Sequence, residues 1–393
     1  MAVTTTSVLT NSVQAKYQAT YIMAVKTMLY YDQLSYTVEK ANMIKGSSIK
    51  VPFLFDLPPN VTAVSQTSDI TPRTFTDKLF TVTPDLYGDA VQLSEKLRRT
   101  AFTDVEKGAS ELVGRQAGKS VDYLARTAAT QGTWVGYGGS ATSRATCDAA
   151  NDQLAYADFI TSNAFLSDMG AEPIANGKFT AVMGHPVLKD ILEDSVIQAI
   201  GSYQKGEILL NGEIGSIAGS KIVVTPWAKR FYGAGAANDS ISTTISAAVA
   251  AGDTTVSFTS DTSISVGDWL TIGPGIESST TEYPTTELVQ VVSGSSSPYT
   301  IVGGGTNGGF KFAHDALETV KDNDTVHAVC FYGKNSIGKV FSPDTGAMGK
   351  VLPPKTTGLL DQFMSLPWKA FVGYARVAEN RMRRVEVATS KHN

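Results

Sequence analysis

Residues Lys45 to Thr83 make an apolar excursion that two strands cannot complete alone. Ile49-Lys50-Val51-Pro52-Phe53-Leu54-Phe55 is apolar and extended, Pro58-Pro59 breaks it, and a polar run through Thr71-Pro72-Arg73 follows. The chain returns through Lys78-Leu79-Phe80-Thr81-Val82 and then Leu86 to Leu93. Strand-forming residues on both sides of turn chemistry predict a long two-stranded ribbon. Such a ribbon cannot bury its own apolar face and is marginal by itself. Either it folds onto the body of its own subunit or a neighbouring molecule covers it; its length and proline content favour the neighbour. Phe53, Phe55, Arg73 and Lys78 are the candidate contacts there.

After the ribbon comes the longest helical pattern. Thr103-Asp104-Val105-Glu106 reads as a capping box, in which the Thr hydroxyl and the Glu carboxylate satisfy each other's orphan amides. Val105, Ala109, Leu112, Val113, Ala117, Val121, Leu124 and Ala128 then line one face, and Gly132 stops the helix. Gly108, Gly114 and Gly118 inside it each cost about 1 kcal/mol in helix propensity. Close approach of another backbone would offset that cost. Upstream, Met1 to Gln14 reads as a small, polar arm. Tyr17, Tyr21, Ile22, Val25, Met28 and Leu29 recur at helical spacing and predict an amphipathic helix to about Tyr31.

The middle of the chain alternates helix and strand. A loop over Gly136 to Ala150, a helix over Tyr156 to Met169, a strand over Lys178 to Met183 and a helix from His185-Pro186 to about Glu193 are expected. Pro186 sits at a first-turn position, where its missing amide is no loss. Ile214 to Val224 reads as a turn and a strand. From about Tyr232 to Asp324 the character changes. Thr255 to Thr259, Trp269 to Ile272, Glu287 to Val292 and Tyr299 to Val302 are short β-type runs separated by Gly, Ser, Pro and Asp. Regular short strands with turn signals predict a small all-β domain. With it excised, Ile222-Val223-Val224 leads toward Ala328-Val329-Cys330-Phe331, so the block reads as an insertion. The chain closes with two predicted strands, Trp368 to Val372 and Arg381 to Val387, the first of which Gly373 to Glu379 can continue.

Composition removes several function classes. The chain has 393 residues, enough for two or three domains. Charged residues make up 18%, below the roughly 25% usual in soluble domains, which suits burial against neighbours as well as a β-rich monomer. The net charge of −4 excludes tight wrapping of a polyanion, though not its containment. Cys147 and Cys330 lie far apart and outside any CxxC or Cys/His cluster, so free buried thiols are expected. The opening residues carry no basic segment followed by an apolar run, so no secretion signal is expected. No run of 18 uncharged apolar residues is present, so no membrane span is expected.

A search for chemistry yields only coincidences. Gly303 to Gly308 contains G-x-G-x-x-G, but the dinucleotide fingerprint needs a strand before it and a helix after it, and Phe310-Lys311-Phe312 follows instead. No Walker-type phosphate loop and no nucleophile elbow occurs. His185, His314, His327 and His392 share no ligand spacing. Asp322 and Asp324 read as a solvated turn, with weak calcium binding as the alternative. Arg381, Arg383 and Arg384 could meet DNA phosphates or form salt links between subunits. No catalytic residue, cofactor or metal is expected.

Layout then carries the reading. Leu86-Tyr87-Gly88-Asp89-Ala90-Val91-Gln92-Leu93-Ser94, Val121-Asp122-Tyr123-Leu124 and Phe179-Thr180-Ala181-Val182-Met183-Gly184-His185-Pro186 occur in that order. Asn211-Gly212-Glu213-Ile214-Gly215-Ser216-Ile217-Ala218-Gly219 and Pro367-Trp368-Lys369 follow. Together they resemble the major capsid proteins of tailed bacteriophages of the Hong Kong ninety-seven type. Within that group they are most similar to the branch typified by coliphage N-four.

The resemblance implies an α+β fold with four parts and an inserted all-β domain. Residues 1–41 would be the N-terminal arm, and 42–85 the extended β-hairpin loop over an adjacent subunit. Residues 86–145 with 363–393 would be the peripheral domain with its long spine helix. Residues 146–231 with 326–362 would be the axial domain, and 232–325 the insert. It further implies self-assembly into hexamers and pentamers of an icosahedral shell around viral double-stranded DNA. Assembly in the bacterial cytoplasm and separate scaffolding, portal and decoration proteins go with it. Arg383 joins the candidate subunit contacts on this view. The rival from another class is a surface or adhesin-like β protein with the insert as its binding unit.

Overall fold

The computed structural model describes residues 21, 23–26, 28–38, 48–54, 57, 59–61, 63, 67, 72–75, 77–101, 105–174, 177–197, 216–236, 241–261, 263–273, 285–342, 344–346, 349–352, 355–357 and 362–389. The chain separates into two compact units: Met1–Ala128 with Asn335–Ala378, and Ala129–Lys334 with Glu379–Asn393.

The first unit is organised by one long strand, Phe363–Arg376. Met364, Leu366, Trp368, Ala370 and Val372 are all buried, the two-residue period of a half-covered strand. Its register with Asp85–Ser94 is antiparallel over ten residues, Phe363 opposite Ser94 through Val372 opposite Asp85. Ile337–Phe341, Lys350–Val351 and Lys355–Thr357 pair along its other edge, and the two-residue strand Tyr36–Thr37 adds to Ile337–Phe341. The expected continuation of the Trp368 strand through Gly373 is therefore present as far as Arg376.

Against this sheet lies the long helix, Val105–Thr130. Its predicted cap at Thr103 falls outside the described residues. Val113, Ala117 and Val121, four apart and so on one face, join Tyr21, Val25 and Leu29, Trp368 and Val372 in one buried cluster. Among the described residues the upstream helix ends before Met28 rather than near Tyr31. Residues 23–26 are helical, a turn follows at Met28, and a 3-10 turn occupies Asp32–Leu34. The partner of the Tyr21 stripe is this subunit's own helix.

Two of the three helix glycines serve that contact. A Cβ on Gly114 would lie 2.9 Å from the Tyr21 carbonyl oxygen and 2.9 Å from the Ala24 Cβ. One on Gly118 would lie 2.9 Å from the Val25 carbonyl oxygen and 2.9 Å from the Met28 Cβ. At Gly108 nothing lies within 4 Å. Gly108→Ala should accordingly gain up to about 1 kcal/mol from helix propensity. Gly114→Ala and Gly118→Ala should each lose about 1–3 kcal/mol from overpacking. Denaturant titration of the three variants checks the opposite signs.

The second unit holds a seven-stranded sheet. Its order is Val135–Tyr137, Met382–Ala388, Val326–Tyr332, Phe179–Met183, Ser220–Val224 and Ser216–Ile217, with Arg230–Phe231 also on Val326–Tyr332. Phe179–Met183 and Val326–Tyr332 are buried at every position, the signature of strands covered on both faces. Helix Tyr156–Asp168 contributes Phe159 and Leu166 to the core, and helix His185–Glu193 contributes Val187 and Ile191. Phe159 meets Phe331 edge to face, with ring centroids 5.4 Å apart. Ala218 and Gly219 at φ 46° and 86° make the two-residue turn between the last two strands. The quoted residues 211–215 lie outside the described part. The expected loop over Gly136 to Ala150 contains instead strand residues 135–137 and a 3-10 turn, Arg144–Thr146.

Three expected boundaries move, and backbone pairing is the reason. The basic strand does not complete a domain with residues 86–145. Met382–Ala388 pairs over seven residues with Val326–Tyr332 and over three with Val135–Tyr137, in the second unit. Residues 326–362 split, because Ile337–Phe341 pairs with Phe363–Arg376 in the first unit. Residues 129–145 belong to the second unit.

Within the second unit the insert is a six-stranded antiparallel sheet of its own. The order is Ser242–Thr244, Thr319–Lys321, Trp269–Gly273, Glu287–Ser293, Tyr299–Val302 and Thr255–Val256. Ile245, Phe258, Leu270, Ile272, Val289, Tyr299, Ile301 and Phe310 are among the residues of a separate buried cluster. The insert enters and leaves at one point: the Gly235 amide donates to the Asp324 carbonyl, and the Asp324 amide to the Ala236 carbonyl, both at 2.9 Å.

Candidate assembly surface

The ribbon forms as expected. Ile49–Leu54 and Asp77–Val82 pair antiparallel, with Ile49 opposite Val82 and Phe53 opposite Lys78. Its base is finished by the subunit: Val82 is fully buried, and Ile49 and Phe80 pack with Val38, Val340 and Ala375. The rest is not. Leu79 is 56% exposed, Leu57 55%, Phe75 68% and Val61 92%. Full burial of side chains this size contributes roughly 1.5–3 kcal/mol each, and more than half of that is left uncollected at each of these four positions. Arg73 is exposed on the same segment. Phe55 lies outside the described residues, and of Phe53 and Lys78 only the backbone is described.

A second open feature adjoins it. Among the described residues, strand Asp85–Ser94 is paired along one edge only, to Phe363–Arg376. A bare ten-residue edge is a template for another chain's backbone. Here the Leu86 amide donates to Asp85 Oδ1 and the Ala90 amide to Asp89 Oδ1, each at 2.7 Å. Two carboxylates on the edge oppose indiscriminate pairing while leaving it open to a partner that meets their charge. Leu86 and, on the long helix, Leu112 are exposed apolar residues of the same unit.

The segment before the ribbon is anchored by polar groups. Asp122 on the long helix is buried, and its Oδ1 accepts the amides of Tyr30, Tyr31 and Asp32 at 2.8, 2.7 and 3.1 Å. It thereby caps the 3-10 turn. Its Oδ2 is buried with no hydrogen-bond partner. Burial raises the Asp122 carboxyl to about 6, against the pull of the three amides. The folded state therefore binds this proton more tightly than the unfolded state does. Stability from this group is full below its unfolded value near 4 and is lost as pH rises through 6. Asp122→Asn, which keeps the acceptor oxygen, should abolish that slope, worth on the order of 2–3 kcal/mol between pH 4 and 7.5. Denaturation of both proteins across that range checks it.

The basic strand turns inward. Arg383 Nη1 donates to the Thr161 carbonyl at 3.1 Å, and its guanidinium lies 5.1 Å from the Phe165 ring. Arg384 pairs with Glu386 at 2.8 Å, and Glu386 takes both Arg144 nitrogens at 2.8 and 2.6 Å. Arg381 Nη1 reaches the Lys334 carbonyl at 3.4 Å. Contacts inside the second unit thus account for all three arginines.

No helix follows Gly303 to Gly308 at the place a pyrophosphate site requires; a short 3-10 turn, Thr306–Gly308, lies within the run, and the next element is strand Thr319–Lys321. Asp322 and Asp324 are not solvated: both are buried, and Asp324 Oδ2 accepts the Ala149 amide at 2.8 Å. Burial suits them because they sit where the insert joins the body. Cys147 and Cys330 are buried free thiols, and burial pushes Cys147 up to about 12. Among the described residues no three His, Cys, Asp or Glu side chains are grouped to hold a metal ion, and no helix is long and apolar enough to cross a membrane. His314 is the residue that sequence reasoning passed over. It is buried between Glu287 and Glu318, and only its i, i+4 spacing to Glu318 hinted at this.

No protein family and no curated protein matches the sequence. Solved structures do match in shape. The capsid of Ralstonia phage GP4 aligns with a TM-score of 0.59 at 10% identity, covering 93% of this chain and 89% of that one. The cyanophage Pam1 capsid asymmetric unit gives 0.54 at 12%, covering 91% and 89%. The acid-stable capsid of Helicobacter pylori bacteriophage KHP30 gives 0.51 at 10%, covering 92% and 89%. The chain has the α+β fold of these phage capsid subunits, carrying an all-β insert.

Proposed function

We propose that this chain is the major capsid protein of a tailed bacteriophage, within the Hong Kong ninety-seven type and the coliphage N-four-like branch. The observation that carries the reading is the ribbon, whose base is packed on its own unit while Leu57, Val61, Phe75 and Leu79 stay in solvent. A neighbouring copy is the natural cover. Identical subunits that meet by different surfaces form rings, and a curved lattice of rings of six and five closes on itself. Each contact is modest; closure multiplies it.

The shell so formed would enclose double-stranded DNA without reading its sequence. The net charge of −4 suits a container better than a wrapper. Scaffolding, portal and decoration proteins would be its partners, and the bacterial cytoplasm its place of assembly. Phe53, Phe55, Arg73 and Lys78 remain the proposed contacts between copies, with Arg383 a weaker member because its side chain is already engaged. Electron microscopy of the purified recombinant protein is the test. Closed shells, tubes or capsomer rings are expected. Monodisperse monomers that bind cells or glycans would replace this reading by that of a surface protein.

A further inference from the structure

The insert holds a buried ionisable cluster. His314 Nε2 lies 2.8 Å from Glu287 Oε1, and its Nδ1 lies 2.8 Å from Glu318 Oε2. The imidazole is completely buried, with the Phe310 ring edge-on at 5.4 Å. Glu287 opens strand Glu287–Ser293 and also accepts the amides of Lys311 and Phe312 at 2.8 and 3.0 Å. Glu318 precedes strand Thr319–Lys321 and reaches back to the Asp315 amide at 3.3 Å. The backbone of His314 exchanges two hydrogen bonds with Val249, at 2.9 and 3.0 Å. The ring thus ties its own segment to strand Glu287–Ser293, while the His314 backbone ties the same segment to Val249.

The chemistry of the ring decides what this tie requires. Two carboxylates on opposite nitrogens both need a proton from the ring, and only the imidazolium has two to give. A neutral imidazole would leave one nitrogen lone pair facing a buried carboxylate. We infer that His314 is a proton-operated clasp that fastens the 303–318 crossover of the insert to strand Glu287–Ser293, closed when the ring is charged and released when it is neutral. The ionisable groups facing it are Glu287 and Glu318, with Lys311 and Asp315 flanking.

The titration directions agree. Burial lowers His314, but the hydrogen bonds to Glu287 and Glu318 outweigh it and leave the ring raised. Burial raises Glu287, but the His314 bond and the two amides outweigh it and leave the carboxyl lowered. Stability from His314 is therefore full below its ordinary value and is lost as pH rises through the raised one. Stability from Glu287 is present above its ordinary value and is lost as pH falls through the lowered one. The clasp is closed in the window between.

Hydrogen–deuterium exchange on the full-length protein, corrected for intrinsic rates, tests this at pH 6 and pH 9. Amides within 303–318 should exchange at least tenfold faster at the higher pH, while strand Val326–Tyr332 of the same unit stays unchanged. His314→Gln should exchange fast at both values. Glu318→Gln, whose side chain is partly exposed and so spares the core, should move the wild-type transition to lower pH. Equal protection at both pH values in the wild type, or an unshifted transition in Glu318→Gln, overturns the clasp. Neither outcome touches the capsid reading, which rests on the ribbon in the other unit.

Discussion

A subunit carrying Phe75→Ser and Leu79→Ser should fold normally and fail to close into particles. Both side chains are more than half exposed, so their loss removes little from the isolated fold. Surface changes of this kind fall within about 0.5 kcal/mol. With Phe75 68% and Leu79 56% exposed, each would give up roughly 1–2 kcal/mol of further apolar burial in the shell, or about 2–4 kcal/mol per subunit contact. At about 1.4 kcal/mol per factor of ten, each contact weakens by roughly thirtyfold or more. The lattice multiplies that loss, because every subunit uses the same contact. Leu317→Ser is the matched control: Leu317 is 73% exposed but lies on the insert, so its loss should leave assembly intact. Circular dichroism melts would show three folded proteins with Tm values within a few degrees. Sedimentation and microscopy would show particles for the wild type and the control but not for the double variant. Particles from the double variant at the wild-type threshold concentration would mean that some other surface closes the shell.

Part of this could be read from the residues themselves. The ribbon was legible because Pro58-Pro59 and Thr71-Pro72 punctuate two apolar runs, and the packing of Gly114 and Gly118 because glycine in a helix interior asks for a neighbour. The insert showed itself through strands at even spacing, four of which lie where the turn signals put them. Its remaining strands, Ser242–Thr244 and Thr319–Lys321, are three residues long and carry no period to detect. What stayed hidden was pairing across distance. The alternation in Met382–Ala388 says that it is a strand, yet nothing in it says that Val326–Tyr332 rather than Asp85–Ser94 is its partner. Buried polar groups were hidden for the same reason. Asp324 and His314 look like surface residues in sequence, and only the elements folded around them supply the Ala149 amide or the second carboxylate.

The same blindness applied to Lys339, and it leads to the largest expected loss of stability. Lys339 lies on strand Ile337–Phe341 at a buried position, and its ammonium pairs with Asp32, which is also buried and also accepts the Tyr374 hydroxyl. A lone charge in such a place is expensive, and a pair is held chiefly because each partner makes the other tolerable. Lys339→Met keeps the length of the side chain and removes the charge. Asp32 then loses its cationic partner and keeps the Tyr374 hydroxyl, close to the carboxyl of Asp122, whose ionisation Asp32 already opposes. The expected cost is about 3–5 kcal/mol, the range for breaking one half of a buried pair. Because the Asp122 carboxyl is raised to about 6, the repulsion and with it the loss should shrink as pH drops and Asp122 takes up its proton. Asp32→Asn combined with Lys339→Met removes the orphaned charge and should recover more than half of the loss. Hydrogen exchange of residues 28–38 under mild denaturant reads this anchor directly, since Asp122 holds their amides. A single variant that loses less than 1 kcal/mol, or a double variant no better than the single, would show that the pair is dispensable and that packing on Gly114 and Gly118 alone keeps this segment in place.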